Sequence, residues 1–158
     1  MDAALEASDE TVSSLLSWGA DPDKTDAIGR TALMDAIQSK CSTTINLLAP
    51  QTKVNLGGAL QRLARDKVEL TTGELIRQLV ERAAQDREAA IKGLEAAAKF
   101  GSSAMIEMIA KSTKDHSIFE ANKEELWKKT TMSDNEATVS ALLQILPNPT
   151  FTAVYLAK

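Results

Sequence analysis

A leucine signature returns along this chain at intervals of about 33 residues, a repeat-type period that limits the fold more than any other feature. Five times an Ile or Val is followed by a leucine-like pair: Val12 with Leu15-Leu16, Ile45 with Leu47-Leu48, Ile76 with Leu79-Val80, Ile106 with Met108-Ile109, and Val139 with Leu142-Leu143. From each of these anchors to the next the chain advances by roughly one unit of a two-helix repeat. A second series, Leu33, Leu60, Leu94 and Leu126, stands upstream of the anchors Ile45, Ile76, Ile106 and Val139, and each member is expected to open a helix. The second of these intervals, from Leu60 to Ile76, is the longest. Self-similarity at such a period marks a repeat array, in which each small unit buries its apolar face only against its neighbours. Apolar residues recur at helical spacing almost throughout, with no convincing alternating strand. The clearest helices are expected at 43–49, 74–84, 93–100, 104–110, 124–130 and 136–146. Most are too short to persist alone in water, so each has to lean on a neighbour. The fold class that follows is all-α, a helix–turn–helix solenoid.

The stretch from Leu15 to Leu33, "LLSWGADPDKTDAIGRTAL", shows how one unit passes into the next. Gly19 follows the leucine pair, where a left-handed residue satisfies the last helical carbonyls without a Cβ penalty. Pro22 disfavours helical geometry in Asp21, so the chain leaves the helix there. Asp26-Ala27-Ile28-Gly29 has the form of a type I turn, with Asp first and Gly fourth. Thr31 is placed to cap the next helix, and Asp35 near the positive end of its dipole.

These residues carry a family resemblance. "DAIGRTALMDA" (26–36) resembles the opening of an ankyrin repeat, in which an acidic turn and a glycine precede Thr-Pro-Leu-His-x-Ala. "TVSSLLSWGADPD" (11–23) resembles the close of one, where the second helix ends in Leu-Leu-x-x-Gly-Ala-Asp. "GLEAAAKFGSSAMIEMI" (93–109) is similar again, through Leu94, Ala97, Ala98 and Gly101. Residues 55–90 and 117–146 rest mainly on the period. Ala32 stands where the family has proline and Met34 where it has histidine, so a Thr–His bridge cannot form at that position. "RDKVELTTGE" (65–74) lengthens the turn of the third unit. The resemblance implies an ankyrin-like array of about four to five units within a single domain, residues 1–158. The approximate units are 1–23 (partial), 24–54, 55–86, 87–116, 117–148 and 149–158 (partial). Tetratricopeptide units would need an early Trp-x-x-Leu-Gly pattern, which the chain does not have.

The two ends depart from the pattern. Leu5 stands closer to Val12 than Leu33 does to Ile45, so the first helix of the first unit is expected to be short or missing. "TAVYLAK" (152–158) echoes "TALMDAI" (31–37) and then stops on residues that are not obviously polar. A capping unit should be more polar. The expectation is an excerpt of a longer array, or else a single terminal helix acting as the cap.

Function classes are narrowed by what the chain holds. Its 158 residues are 44% hydrophobic but only 4% aromatic, so the core has to be aliphatic, and net charge is −4. An acidic chain argues against nucleic acid as the partner. Basic residues between 62 and 99 alternate with acids and read as solvated helix faces. Cys41 and His116 are single, so no intramolecular disulfide and no zinc site built from those two residue types is expected. Cys41 reads as an inert thiol in a helix–helix turn, His116 as a surface turn residue. Asp21, Asp23 and Asp26 fail the calcium-loop pattern, because the sixth and twelfth positions are Asp26 and Ala32. Gly57-Gly58 lacks the Gly-Lys-Ser/Thr of a phosphate cradle. Met105, Ile106, Met108 and Ile109 are expected in the core. Trp18 and Trp127 are the remaining aromatics of interest, and a partly buried structural role is expected for Trp127. No apolar run approaches the span of a bilayer, and the acidic start does not read as a signal peptide. A cytoplasmic or nuclear monomer without catalysis or cofactor is therefore expected.

What remains is recognition. The resemblance implies that an ankyrin-like array binds another protein or a peptide segment through its finger tips and the exposed face of each first helix. On this sequence those positions are Ala27, Ile28 and Arg30 of the finger, Gln38 and Ser39 at the end of the next helix, Arg65 and Asp66 in the third unit, and Lys99 and Phe100 in the fourth. Phe100 is the expected anchor, since aromatics dominate binding energy at interfaces. Two other readings are open: a regulatory or targeting domain of a larger enzyme or receptor that docks within its own chain, and an enzyme whose site leaves no motif.

Overall fold

A computed structural model describes residues 9–67 and 74–146, and these are helical with no strand longer than a single bridge. The helices are α1 (Asp9–Ser17), α2 (Ala32–Gln38), α3 (Ser42–Leu48), α4 (Leu56–Arg65), α5 (Glu74–Ala83), α6 (Arg87–Phe100), α7 (Ser103–Ser112), α8 (Ser117–Ala121), α9 (Lys123–Ser133) and α10 (Glu136–Ile145). Residues 1–8 of the first expected partial unit, with Leu5, the last expected unit at 149–158 with its echo at 152–158, and most of the lengthened turn at 65–74 lie outside the described residues.

The helices pack in two series. In one, α2 lies on α4, α4 on α6 and α6 on α9; in the other, α1 lies on α3, α3 on α5, α5 on α7 and α7 on α10. Hairpin contacts between α2 and α3, α4 and α5, α6 and α7, and α9 and α10 join the two series. One aliphatic core runs between them, and Leu33, Ile45, Leu60, Leu79, Leu94, Ile106, Leu126 and Leu142 all contribute to it. Met105, Ile106 and Ile109 are fully buried, as the helical spacing predicts, while Met108 is only half-buried against the core; Trp127 is 6% exposed, more buried than expected.

Polar side chains tie together segments 27 to 34 residues apart in sequence. Asp23 Oδ1 accepts from the backbone of Lys53 (2.6 Å) and Val54 (3.1 Å), 30 and 31 residues on. Arg82 donates to the carbonyls of Ala49, Pro50 and Thr52 at 2.5, 3.1 and 2.7 Å, a cation closing the C-terminal end of α3. Gln85 Nε2 reaches Ser112 O at 2.6 Å, and Lys129 reaches Glu95 across α9 and α6.

Local chemistry sets the helix ends. After α1, Gly19 sits at φ +85°, with Gly19 N donating to Leu16 O and Ala20 N to Leu15 O, which is the Schellman closure. Lys40 makes the same closure after α2 at φ +55°, with Lys40 N on Ile37 O and Cys41 N on Ala36 O. A residue with a Cβ is strained there. Lys40→Gly is therefore expected to raise stability by about 0.5–1 kcal/mol, the relief of strain exceeding the entropy lost by glycine. A lower midpoint in urea would show that the Lys40 side chain contributes more than its backbone costs.

Three details differ from the sequence reading. Leu60, Leu94 and Leu126 lie inside their helices rather than at the start, because α4, α6 and α9 begin earlier than the leucine pattern does. Helix α6 begins at Arg87 because Asp86 Oδ1 accepts from Ala89 N at 2.7 Å and caps it. Thr31 does occupy the position before α2, but its buried hydroxyl makes no capping bond. In the first turn of α4 a Cβ at Gly57 would lie 3.1 Å from Ala89 Cα, a close approach to the backbone of α6, while at Gly58 it would meet side-chain atoms, Met34 Cε at 2.3 Å and Asn55 Oδ1 at 2.8 Å.

Candidate functional site

The finger between α1 and α2 is built by one carboxylate. Asp26 Oδ1 accepts from the backbone N–H of Ile28 (3.0 Å) and of Arg30 (2.8 Å), and Oδ2 accepts from Arg30 Nε at 2.7 Å. Gly29 N closes the turn on Asp26 O at 3.0 Å, and a single bridge pairs Thr25 with Thr31. This is the type I turn read from the sequence. Gly29 adopts φ +78° and a Cβ there would meet nothing closer than 4.0 Å, so its role is backbone geometry alone. Gly29→Val should therefore cost about 1–2 kcal/mol, and an unchanged thermal midpoint would show that the finger does not need that geometry. Asn55 joins the finger to α4: Nδ2 donates to Gly29 O at 2.8 Å while Oδ1 caps Gly58 N.

The same hydrogen bonds fix the charges. The backbone N–H and guanidinium of Arg30 hold the Asp26 carboxyl below the usual aspartate range, and the pair raises Arg30 in turn. A carboxylate with a lowered pKa contributes stability that is complete above the unfolded value and is lost as pH falls through the folded one. Wild type should thus be more stable than Asp26→Asn at neutral pH, with the gap closing below about pH 4. A gap independent of pH in acid denaturation would show that the charge of Asp26 contributes nothing. Asp35, on α2, moves the other way: burial raises it, only partly offset by Arg30, whose Nη1 stands 3.6 Å from Oδ1, and by Arg62.

A groove of about 490 Å³ opens where the finger meets the first series of helices. It is bordered by Ile28, Gly29 and Arg30 of the finger, Met34 of α2, Asn55 before α4, Gly58, Gln61, Arg62 and Arg65 of α4, Lys92, Glu95, Ala96, Lys99 and Phe100 of α6, and Lys129 of α9. No protein-family model, curated protein or solved structure matches this chain. The groove is therefore read from its own residues.

Five of the nine expected contact residues come together here: Ile28, Arg30, Arg65, Lys99 and Phe100. Ile28 is 76% exposed, and Phe100 is half-buried, packed on the core beneath while lining the groove. Lys99 Nζ lies 5.3 Å from the centre of its ring, within cation–π range. The other four are not among the lining residues. Ala27 is exposed in the finger. Gln38 accepts from Arg62 Nη1. The Ser39 hydroxyl turns back onto Asp35 O and Ala36 O at 3.0 and 3.2 Å. Asp66 accepts from Arg65 Nε at 3.0 Å.

The sequence reading missed Arg62, Lys92, Glu95 and Lys129, which it treated as solvated charges or passed over. A signal was present. Gly58, Gln61, Arg62 and Arg65 stand one unit ahead of Lys92, Glu95, Ala96 and Lys99, and Lys129 stands one unit beyond Glu95. The leucine period, applied to polar positions, puts them all on one face.

The remaining reactive side chains serve turns. Cys41 precedes α3, and hydrogen bonds from Thr43 and Thr44 lower its thiol. His116 stacks on Phe119 with ring centres 6.1 Å apart. Asp21 Oδ1 accepts from Asp23 N at 2.9 Å. Among the described residues no three His, Cys, Asp or Glu side chains converge as a metal site would require, and no helix is long and apolar enough to cross a membrane.

Proposed function

We propose that this chain is a recognition module, an ankyrin-like array that binds another protein or a peptide segment and does no chemistry of its own. One observation carries the reading: the finger and four first-series helices contribute to a single groove, and five of the residues assigned to contact by the family pattern line it. Helices paired in two series, with staples between residues about one period apart, support the ankyrin-like assignment. The groove falls in the size range of ligand clefts, and it is walled by rigid helices, so little ordering entropy is lost on binding. Phe100, held by the core, is the anchor, and Ile28 offers a second apolar contact.

The test is affinity capture from a cell extract on immobilised wild type and on Ile28→Ala/Phe100→Ala. Arg30 is left in place because it holds the finger. Loss of the captured proteins on the variant is expected, since truncating an anchor costs about 2 kcal/mol or more. Equal capture on both would rule out this face.

A further inference from the structure

Arg30, Arg62, Arg65, Lys92, Lys99 and Lys129 line the groove of a chain whose net charge is −4, and Glu95 is the one carboxylate among the lining residues. Four of the cations are already neutralised. Arg30 is paired with Asp26, Arg65 with Asp66 at 3.0 Å, Lys92 with Glu88 at 2.5 Å, and Lys129 with Glu95 and Glu125 at 2.7 and 3.3 Å. Arg62 and Lys99 are different. Arg62 donates to the neutral amide of Gln38, and Lys99 lies over the Phe100 ring. Neither forms an ion pair with a carboxylate among the described residues.

We propose that the occupant of this groove is a short acidic peptide segment, with one carboxylate on Arg62, a second on Lys99, and an apolar side chain on Phe100. The proposal rests on the recognition reading above. Gly57 faces Ala89 and Gly93 faces Leu60 where α4 packs on α6, so Arg62 of α4 stands about level with Glu95, and Lys99 lies about one turn further along that neighbouring helix. Packed helix axes are separated by about 8–10 Å and a helix rises about 1.5 Å per residue, so the two positions are about 10 Å apart. In a polyproline II conformation a peptide advances about 3.1 Å per residue and every third side chain returns to the same face. Acids three positions apart therefore face the groove together and match the two cations, with room for an apolar residue between them. A carboxylate accepts a bidentate pair from a guanidinium, which makes Arg62 the more selective of the two contacts. Nucleic acid fits less well. A phosphate chain would have to pass Glu95, and two unpaired cations give little counterion release.

The experiment is selection from a random dodecapeptide library displayed on phage, using the full chain, Phe100→Ala, Arg62→Gln/Lys99→Gln and Arg62→Glu/Lys99→Glu. Circular dichroism checks that each variant is folded. If the reversed variant is not, the neutral pair carries the comparison. Wild type should enrich peptides with paired Asp or Glu about an apolar residue. Binding of a labelled selected peptide should fall about tenfold or more on the neutral pair, the sum of two modest ion pairs, and the reversed variant should select basic peptides instead. Peptides that depend on Phe100 but carry no acidic bias would overturn the acidic assignment and leave the recognition reading intact. Selection indifferent to all three variants would overturn both. Tighter binding of a labelled oligouridine than of any acidic peptide, lost on the neutral pair, would overturn the proposal in favour of nucleic acid.

Discussion

Gly93→Val is expected to lower stability by about 3 kcal/mol, among the larger single-site effects in a domain of this size. Gly93 lies at the middle of α6, the helix that packs on α4, α7 and α9. A Cβ at that position would stand 2.6 Å from Leu60 Cδ1, 3.2 Å from Leu60 Cβ and 3.0 Å from Ile109 Cδ1. The first contact is a flexible side-chain end and could give way to a single methyl. A branched side chain meets Leu60 and Ile109 together, and both are fully buried in a core with no free volume to receive them. Any better helix propensity of valine over glycine is a few tenths of a kcal/mol and does not offset the overlap. The thermal midpoint should fall by about 10 °C. Adding Leu60→Ala, which alone costs about 2–5 kcal/mol, should produce a double variant much better than the sum, because the valine then fills the space. Strict additivity in that cycle would show that α4 and α6 do not meet at Gly93.

Phe119→Ala should cost about 3–5 kcal/mol, a midpoint shift of about 10–15 °C. Phe119 is 1% exposed and belongs to α8, a helix of only 5 residues. So short a helix cannot hold itself together, and what fixes it is the burial of Ile118 and Phe119 in the core. Asp115 secures the turn before it by accepting from Ser117 N at 3.1 Å and by pairing with Arg87. If residues 115–121 were only a surface connection, truncation would change stability by less than about 1 kcal/mol, and the assignment of the region beyond α7 to the common core would fail.

The helices were legible because apolar residues recur at helical spacing. The five Ile or Val anchors place α1, α3, α5, α7 and α10, and all five are buried. Gly19 was readable as a left-handed position, and Gly29 as the end of a turn, because almost no other residue adopts such geometry cheaply; with Gly101 their φ values are +85°, +78° and +77°. Lys40, Asn55, Lys67 and Asp134 also have positive φ and were not read so, since a lysine gives no sign of it and Asn or Asp only a preference. Helix α8 was missed because its stabilisation is tertiary. The start of α6 was placed too late because an alanine-rich first turn has no leucine to mark it.

The groove was half legible. Ile28, Arg30, Arg65, Lys99 and Phe100 follow from where a finger and a helix end must fall in each unit. Arg62, Lys92, Glu95 and Lys129 were in plain view as charges, yet a charge on an exposed helix face looks the same whether or not it borders a cleft. Pairing distinguishes them: Lys92 is held by Glu88 within its own helix, whereas the partners of Glu95 and Arg62 come from neighbouring helices. Glu95 reaches Lys129 across 34 residues, and Gln38 is drawn to Arg62 across 24.

The sequence by itself determined that the described chain is helical, where most helices begin and end, and which side of each is apolar. Those properties arise within one or two turns, from periodicity, caps and left-handed closures. Only the tertiary structure decided which first-series helices border a common groove and which of its cations keep no carboxylate partner. Both depend on the offset between units, which is shorter from Gln38 to Arg62 than from Glu95 to Lys129. Packing sets that offset, because side chains from helices distant in sequence must fill one close-packed core, and a shift of a single turn changes every polar neighbour.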